Sequence, residues 1–316
     1  MPAINQSACG KAILLGEHAV VHGEGAIAIP LSSRRIKVRV EPKILTPDSK
    51  IQVIAPDLGI NQEYTDLPEQ HPVFQAVRLT LIELNITQTP SCTLLVTSTL
   101  SFGSGLGSSA ALAVATIRAL SEFLGHPLPT NTVNRIAYEC ETYIHGNPSG
   151  IDNTVVSNEK PLYFQKSQGF EFLSAGRAFN FILADSGISK STRESVASVA
   201  GQLAESPIEV QSKLTQIGQV VEQGKQAFLN GDIMGLAAAM NQNQQLLTAI
   251  DLSCPELDQL IKTALEAGAL AAKLTGGGRG GHMLALVEDS KLPLVYESLQ
   301  QASSGRAFTT TVGNQS

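Results

Sequence analysis

The spacing of apolar positions changes period several times along the chain, and each change marks an element. "RRIKVRV", from Arg34 to Val40, alternates residue by residue, as a strand with one buried face does. "CTLLVTST", from Cys92 to Thr99, predicts another strand, and residues 11–15 and 26–31 are short apolar runs around a turn-rich centre. Leu112, Ala113, Thr116, Ile117, Leu120, Phe123 and Leu124 then recur at helical spacing. Val133, Ile136, Ala137, Cys140 and Ile144 predict a second helix over 132–144, which the Gly and Pro of "HGNPSG" would end. "PLYFQK" and "FNFILADSG" predict two more strands. Beyond "DSGISKST" the period is helical again. Val210, Leu214, Ile217, Val221 and Phe228 mark one long helix, a second begins near Asp232, and a third lies around 255–270. This change of character predicts two domains, 1–178 and 179–316.

Composition narrows the class. A formal net charge of −6, with no cluster of Lys or Arg, argues against a broad nucleic-acid surface. Cys9, Cys92, Cys140 and Cys254 are scattered and show no metal-ligand spacing, which predicts reduced structural thiols. No apolar run reaches the length of a membrane span and no signal-peptide pattern opens the sequence, so a cytoplasmic protein without membrane partners is expected.

Four stretches carry candidate chemistry. "GSGLGSSAA", Gly103 to Ala111, places three glycines between a strand and a helix. Glycine permits positive φ, and a helix N-terminus offers free N–H groups and the positive end of the dipole, so the junction suits a phosphate. The alternative is a tight turn capped by Ser. It is no Walker A loop, since no Gly-Lys-Ser/Thr follows, and Ser108 sits where a Rossmann fingerprint needs its third Gly. In "ETYIHGNPSGIDN" Glu141 falls nearer the apolar stripe of its helix than Glu139, at about 100° per residue. Asp152 follows a loop shaped by Gly146, Pro148 and Gly150, and could act as a base, as a metal ligand, or merely as a cap. "KLTGGGRGG", Lys273 to Gly281, is either a flexible loop over a ligand or a hairpin turn; its literal G-x-G-x-x-G precedes a strand and is no dinucleotide signature. Finally, "GEHAVVHGEGAIAIPL" sets Glu17 beside His18 in a small, apolar segment.

Taken in order, these stretches resemble the family of galactose, homoserine, mevalonate and phosphomevalonate kinases over nearly the whole chain. The mevalonate-phosphorylating branch matches best, through "GKAILLGEHAVVHGEGAIAIPL", "GLGSSAA", "HGNPSGIDN", "DSGISKST" and "KLTGGGRGG". The resemblance implies a two-domain α+β kinase fold with a left-handed β-α-β crossover in its N-terminal, ATP-binding domain. It implies ATP-dependent phosphorylation of the primary alcohol of mevalonate, with Mg²⁺ as cofactor, and it leaves a homodimer open. Residue by residue, it makes Asp152 the catalytic base and Lys11 the lysine that contacts the transferred phosphoryl group. Glu17, His18 and Thr192 would place the hydroxy-acid substrate, Glu17 and His18 beside Lys11. Ser98, Gly103, Ser104, Gly105, Leu106, Gly107, Ser108 and Ser109, with Gly276, Gly277 and Gly278, would hold ATP. Ser109 and Glu141 would bind the metal.

Two stretches depart from the family pattern. "TLSFG" stands where relatives commonly have a Pro-containing segment, and "TGGGRGGH" replaces an Ala-containing, Cys-ending form, with Arg279 added. The competing readings are a kinase of the same family acting on another small alcohol or sugar, a related decarboxylase, and a non-catalytic nucleotide-binding relative.

Overall fold

The structure, a computed structural model, describes residues 2–43, 49–146, 148–188 and 192–313. Asn147 of the "HGNPSG" motif and Ser189, Lys190 and Ser191 of "DSGISKST" lie outside them. The chain runs β1 (Ile4–Leu15), a 3-10 turn (Ala19–His22), β2 (Ala26–Pro42), β3 (Ile51–Ala55), β4 (Ile60–Glu63), α1 (Pro72–Glu83) and β5 (Cys92–Ser98). Next come α2 (Ser108–Phe123), α3 (Thr130–His145), α4 (Ile151–Asn158), β6 (Leu162–Gln165), β7 (Gly169–Phe172) and β8 (Phe179–Asp185). The rest is α5 (Thr192–Glu205), α6 (Pro207–Asn230), α7 (Ile233–Thr248), α8 (Pro255–Glu266), β9 (Ala271–Thr275), β10 (His282–Val287), α9 (Leu292–Ala302) and β11 (Ala307–Val312). Pro stands in the first turn of α1, α6 and α8, where its missing N–H costs nothing. Among the described residues no helix is long and apolar enough to cross a membrane.

Two compact units result, but not from one cut between residues 178 and 179. The first gathers residues 1–11 and 34–159, the second 12–33 and 160–316. The reason is the length of β1 and β2, each of which gives one part to each unit. The apolar runs marked only fragments of these strands.

In the first unit the order β4-β3-β5-β2 is built on the alternation read from the sequence. Ile36, Val38 and Val40 are fully buried and pair antiparallel with β5, Val38 opposite Val96. β3 and β5 pair in parallel, joined through β4 and α1. α1, α3 and α4 pack on α2, which is buried on nearly every side because Ala110, Ala111, Ala113, Ala115 and Ala119 let its neighbours approach.

In the second unit a four-stranded antiparallel sheet runs β11-β8-β10-β9. Phe179 of β8 stacks on Phe228 of α6 with ring centroids 5.2 Å apart. The start of β2 pairs with β6, and β6 with β7. α6 passes so close to residues 15–24 that a Cβ on Gly224 would lie 2.1 Å from Leu15 Cδ1.

Candidate active site

The first unit assembles the phosphate-loop group. Gly103, Gly105 and Gly107 all have positive φ, between 71° and 78°, so the loop needs these glycines. α2 begins at Ser108 behind Gly107, and no side chain caps it. Its first N–H groups therefore remain available to an anion. The Ser-capped turn is thereby set aside: Ser108 Oγ instead accepts the Gly103 N–H. Ser104 Oγ donates to Ser101 O, and Ser98 exchanges hydrogen bonds with Leu100 while its N–H donates to Asp57.

Lys11, only 6% exposed, is held to this loop at both ends. Its backbone N–H donates to Leu106 O at 2.9 Å, and its side chain passes over Gly107, where a Cβ would meet Cγ at 2.8 Å. Its Nζ reaches Asp152 Oδ1 at 3.1 Å. Asp152 follows the glycine-shaped loop, as expected, and lies in the first turn of α4, behind Gly150 at φ 86°. There the helix dipole favours a carboxylate.

Glu141 is 3% exposed, whereas Glu139 is half-buried and pairs with Arg135. The Glu141 carboxyl interacts with the Ser109 hydroxyl and with His145, while its Oε1 is buried without a hydrogen-bond partner. Burial, and then the Asp152 charge, push its pKa up to about 7; Ser109 and Lys11 pull it back in part.

The second unit holds the other group. Glu17 O accepts the Ala19 N–H at 2.7 Å, closing a three-residue turn about His18, whose φ of 61° and ψ of −45° approach the strained γ-turn. His18 Nε2 donates to Gly277 O at 2.9 Å. Burial, the largest effect, lowers the His18 pKa, so the ring is neutral near pH 7. Thr192, the first described residue of α5, is exposed, and its Oγ1 lies 2.8 Å from the place of a Cβ on Gly277.

Glu17 has a charged partner that the sequence reading did not name. Glu17 pairs with Lys273 of β9, and both are fully buried; Lys273 Nζ also donates to Leu274 O. Burial lowers the Lys273 pKa while Glu17 raises it again. Sequence reading missed Lys273, although a lone charge inside "ALAAKLTG" is the same signal that Glu17 gives. It also missed Asn243 of α7, whose Oδ1 accepts the Gly16 N–H, and Thr275, whose Oγ1 bonds both N–H and C=O of Ile13. Gly276 to Gly281 closes the β9–β10 hairpin, so the hairpin reading of this motif holds, and its backbone still serves as the His18 acceptor.

Comparison with known proteins identifies the family. Sequence models described as "GHMP kinases N terminal domain" and "GHMP kinases C terminal" match residues 71–158 and 225–304. The chain belongs to the GHMP kinase family of ATP-dependent kinases. A mevalonate kinase of Thermococcus sibiricus is 34% identical over 90% of this chain and 89% of that protein. One of Aeropyrum pernix is 32% identical over 99% and 97%. Among solved structures, L. major mevalonate kinase in complex with R-mevalonate superposes with a TM-score of 0.84, at 28% identity over 99% of this chain and 96% of that one.

Proposed function

We propose that this protein transfers the γ-phosphoryl group of ATP to the primary alcohol of mevalonate, giving 5-phosphomevalonate. The observation that carries the reading is the Lys11–Asp152 pair, 3.1 Å apart, with the lysine laid along the phosphate loop at Gly107. Phosphoryl transfer needs little covalent chemistry from a protein; it needs in-line positioning and relief of charge on the transferred oxygens. The free N–H groups at the start of α2 hold phosphate oxygens. Lys11 neutralises the charge that develops on the transferred group, and Asp152 accepts the proton of the attacking hydroxyl as the new O–P bond forms. Glu17, His18 and Thr192 orient the acceptor. Ser98, Gly103 to Ser109 and Gly276 to Gly278 serve the nucleotide.

A divalent cation, Mg²⁺ in this reading, fits the residues present. Glu141 Oε1 is a buried carboxylate oxygen with no hydrogen-bond partner, and the Ser109 hydroxyl is its neighbour. These two side chains would hold the ion. When bound, it would help to neutralise the negative charge of the nucleotide phosphates. Among the described residues no group of three His, Cys, Asp or Glu side chains forms a metal cluster of its own, which suits an ion that arrives with the nucleotide. The reading further takes the enzyme as cytoplasmic and its partners as ATP and a small hydroxy acid. It retains 1–178 as the ATP-binding part of the chain and 179–316 as the remainder.

The test is ADP release from Mg-ATP with mevalonate, phosphomevalonate, homoserine, galactose and other sugars. Turnover confined to mevalonate is expected. Turnover confined to another acceptor would overturn the substrate, and no turnover on any would overturn the activity.

A further inference from the structure

Arg279 is the one side chain in a six-residue loop otherwise made of glycine, Gly276 to Gly281. It sits at φ 57°, a left-handed conformation that glycine adopts freely and arginine does not. A glycine at this position would be relaxed, so the side chain must supply something.

The surroundings show what it supplies. The Arg279 N–H donates to Leu252 O at 2.7 Å, its Nε to Asp251 O at 2.8 Å, and its Nη2 to Ser198 Oγ at 2.8 Å and to the Asp251 carboxylate. One guanidinium thus ties the loop both to the turn after α7 and to the middle of α5. The opposite side of the loop is fixed through its backbone, where the Gly281 N–H donates to Ile188 O at 2.7 Å. There is no slack: a Cβ on Gly278 would lie 2.3 Å from Leu252 O, and one on Gly280 2.5 Å from Ile188 O. Two residues before Arg279, Gly277 presents its carbonyl to His18 Nε2 and its Cα to the Thr192 hydroxyl. Ser198, gripped by the arginine, lies six residues into the helix that Thr192 opens.

We infer that Arg279 is a positioning residue for acceptor binding. By locking the glycine loop to α5 and to the 251–252 turn, it fixes Gly277, and with it the orientation of His18 and the place of Thr192. It needs no contact with the substrate. An all-glycine loop would pay the full backbone entropy of ordering whenever the acceptor binds. The inference rests on the proposed roles of His18 and Thr192.

The experiment is steady-state kinetics on the full chain, varying alcohol and ATP separately. Arg279→Gly is the informative variant, because it removes the clamp and relieves the backbone at once. The KM for the alcohol is expected to rise about tenfold, the equivalent of about 1.4 kcal/mol, with a clearly smaller rise in the KM for ATP, whose proposed site shares Gly276 to Gly278. Ser198→Ala, which loses one of the acceptors, should raise the same KM by a smaller factor, and Arg279→Lys should fall between wild type and Arg279→Gly. In a His18→Ala background Arg279→Gly should raise the alcohol KM by less than in the wild type, since only the route through Thr192 is left. An unchanged alcohol KM would overturn the inference, as would an equal rise in both KM values, a fall in thermal stability alone, or full additivity with His18→Ala. Failure of the functional reading shows separately, in the wild type. If the wild type phosphorylates another alcohol of the panel, only the substrate is wrong and the comparison is made with that alcohol; if it phosphorylates none, the inference falls with the function.

Discussion

Asp152 and Glu141 are two carboxylates in the same unit with different surroundings. Asp152 is paired with Lys11 at a helix start, whereas Glu141 is buried beside a hydroxyl. Asp152→Asn keeps the size of the side chain and removes the carboxylate proposed to accept the proton. We expect unchanged circular dichroism and ATP binding with kcat lowered by about 10²- to 10⁴-fold; near-native turnover would deny Asp152 its role. For Glu141 the consequence concerns pH. Its carboxyl ionises near 4.5 in the unfolded chain and at about 7 in the fold, so between these values the folded protein holds the extra proton. Metal-free stability therefore falls as pH rises through this window, by up to about 3 kcal/mol from this group. Urea titrations without metal at pH 5 and pH 7.5 should show a smaller loss for Glu141→Gln than for wild type, and equal losses would contradict the burial argument. The angular position of Glu141 on its helix made it legible in advance. Lys273 was not legible, because its partner Glu17 lies 256 residues away and no local period links them.

Elements were readable where one face is buried and the other wet. β2 is the clearest case, with Ile36, Val38 and Val40 buried and Lys37 and Arg39 exposed between them. α1 escaped because Gln75 and Thr80 are buried within it, satisfied by Glu69 O and Ala76 O, which breaks the apolar stripe. α5 buries only Ser195 and Val199, and β7 leaves Phe170 and Phe172 largely exposed, so neither shows its period. α7 does something a sequence pattern does not announce. β9 ends the four-stranded sheet, and side chains of α7 pair with its backbone: Asn241 with Leu270 O and the Ala272 N–H, Gln244 with the Leu274 N–H. The polar run "NQNQQ" thus stands in for a missing strand. Gln244→Leu would strand the Leu274 N–H in a buried setting. Urea unfolding should show a loss of about 1–3 kcal/mol, and a neutral result would mean that the edge is not held in this way.

At the scale of the molecule, the two units draw on stretches from both sides of the change of character after residue 178. The cue used, a shift toward long helices after residue 178, tracks secondary structure rather than packing. Residues 12–33 belong with the second unit through Ile13–Thr275 and Gly16–Asn243, and β6 and β7 belong there too. A fragment of residues 179–316 would lack all of these. We expect it to show no cooperative urea transition and to aggregate on size-exclusion chromatography; a monomeric fragment with a sharp transition would show that those pieces are dispensable. The interleaving also bears on how such a chain can change over generations. Each unit is written in two separate stretches, with seams at 11/12, 33/34 and 159/160. Replacing one unit with that of a relative by recombination would need three crossovers, two of them inside continuous strands. A new acceptor preference is then reached more readily by single substitutions within a unit.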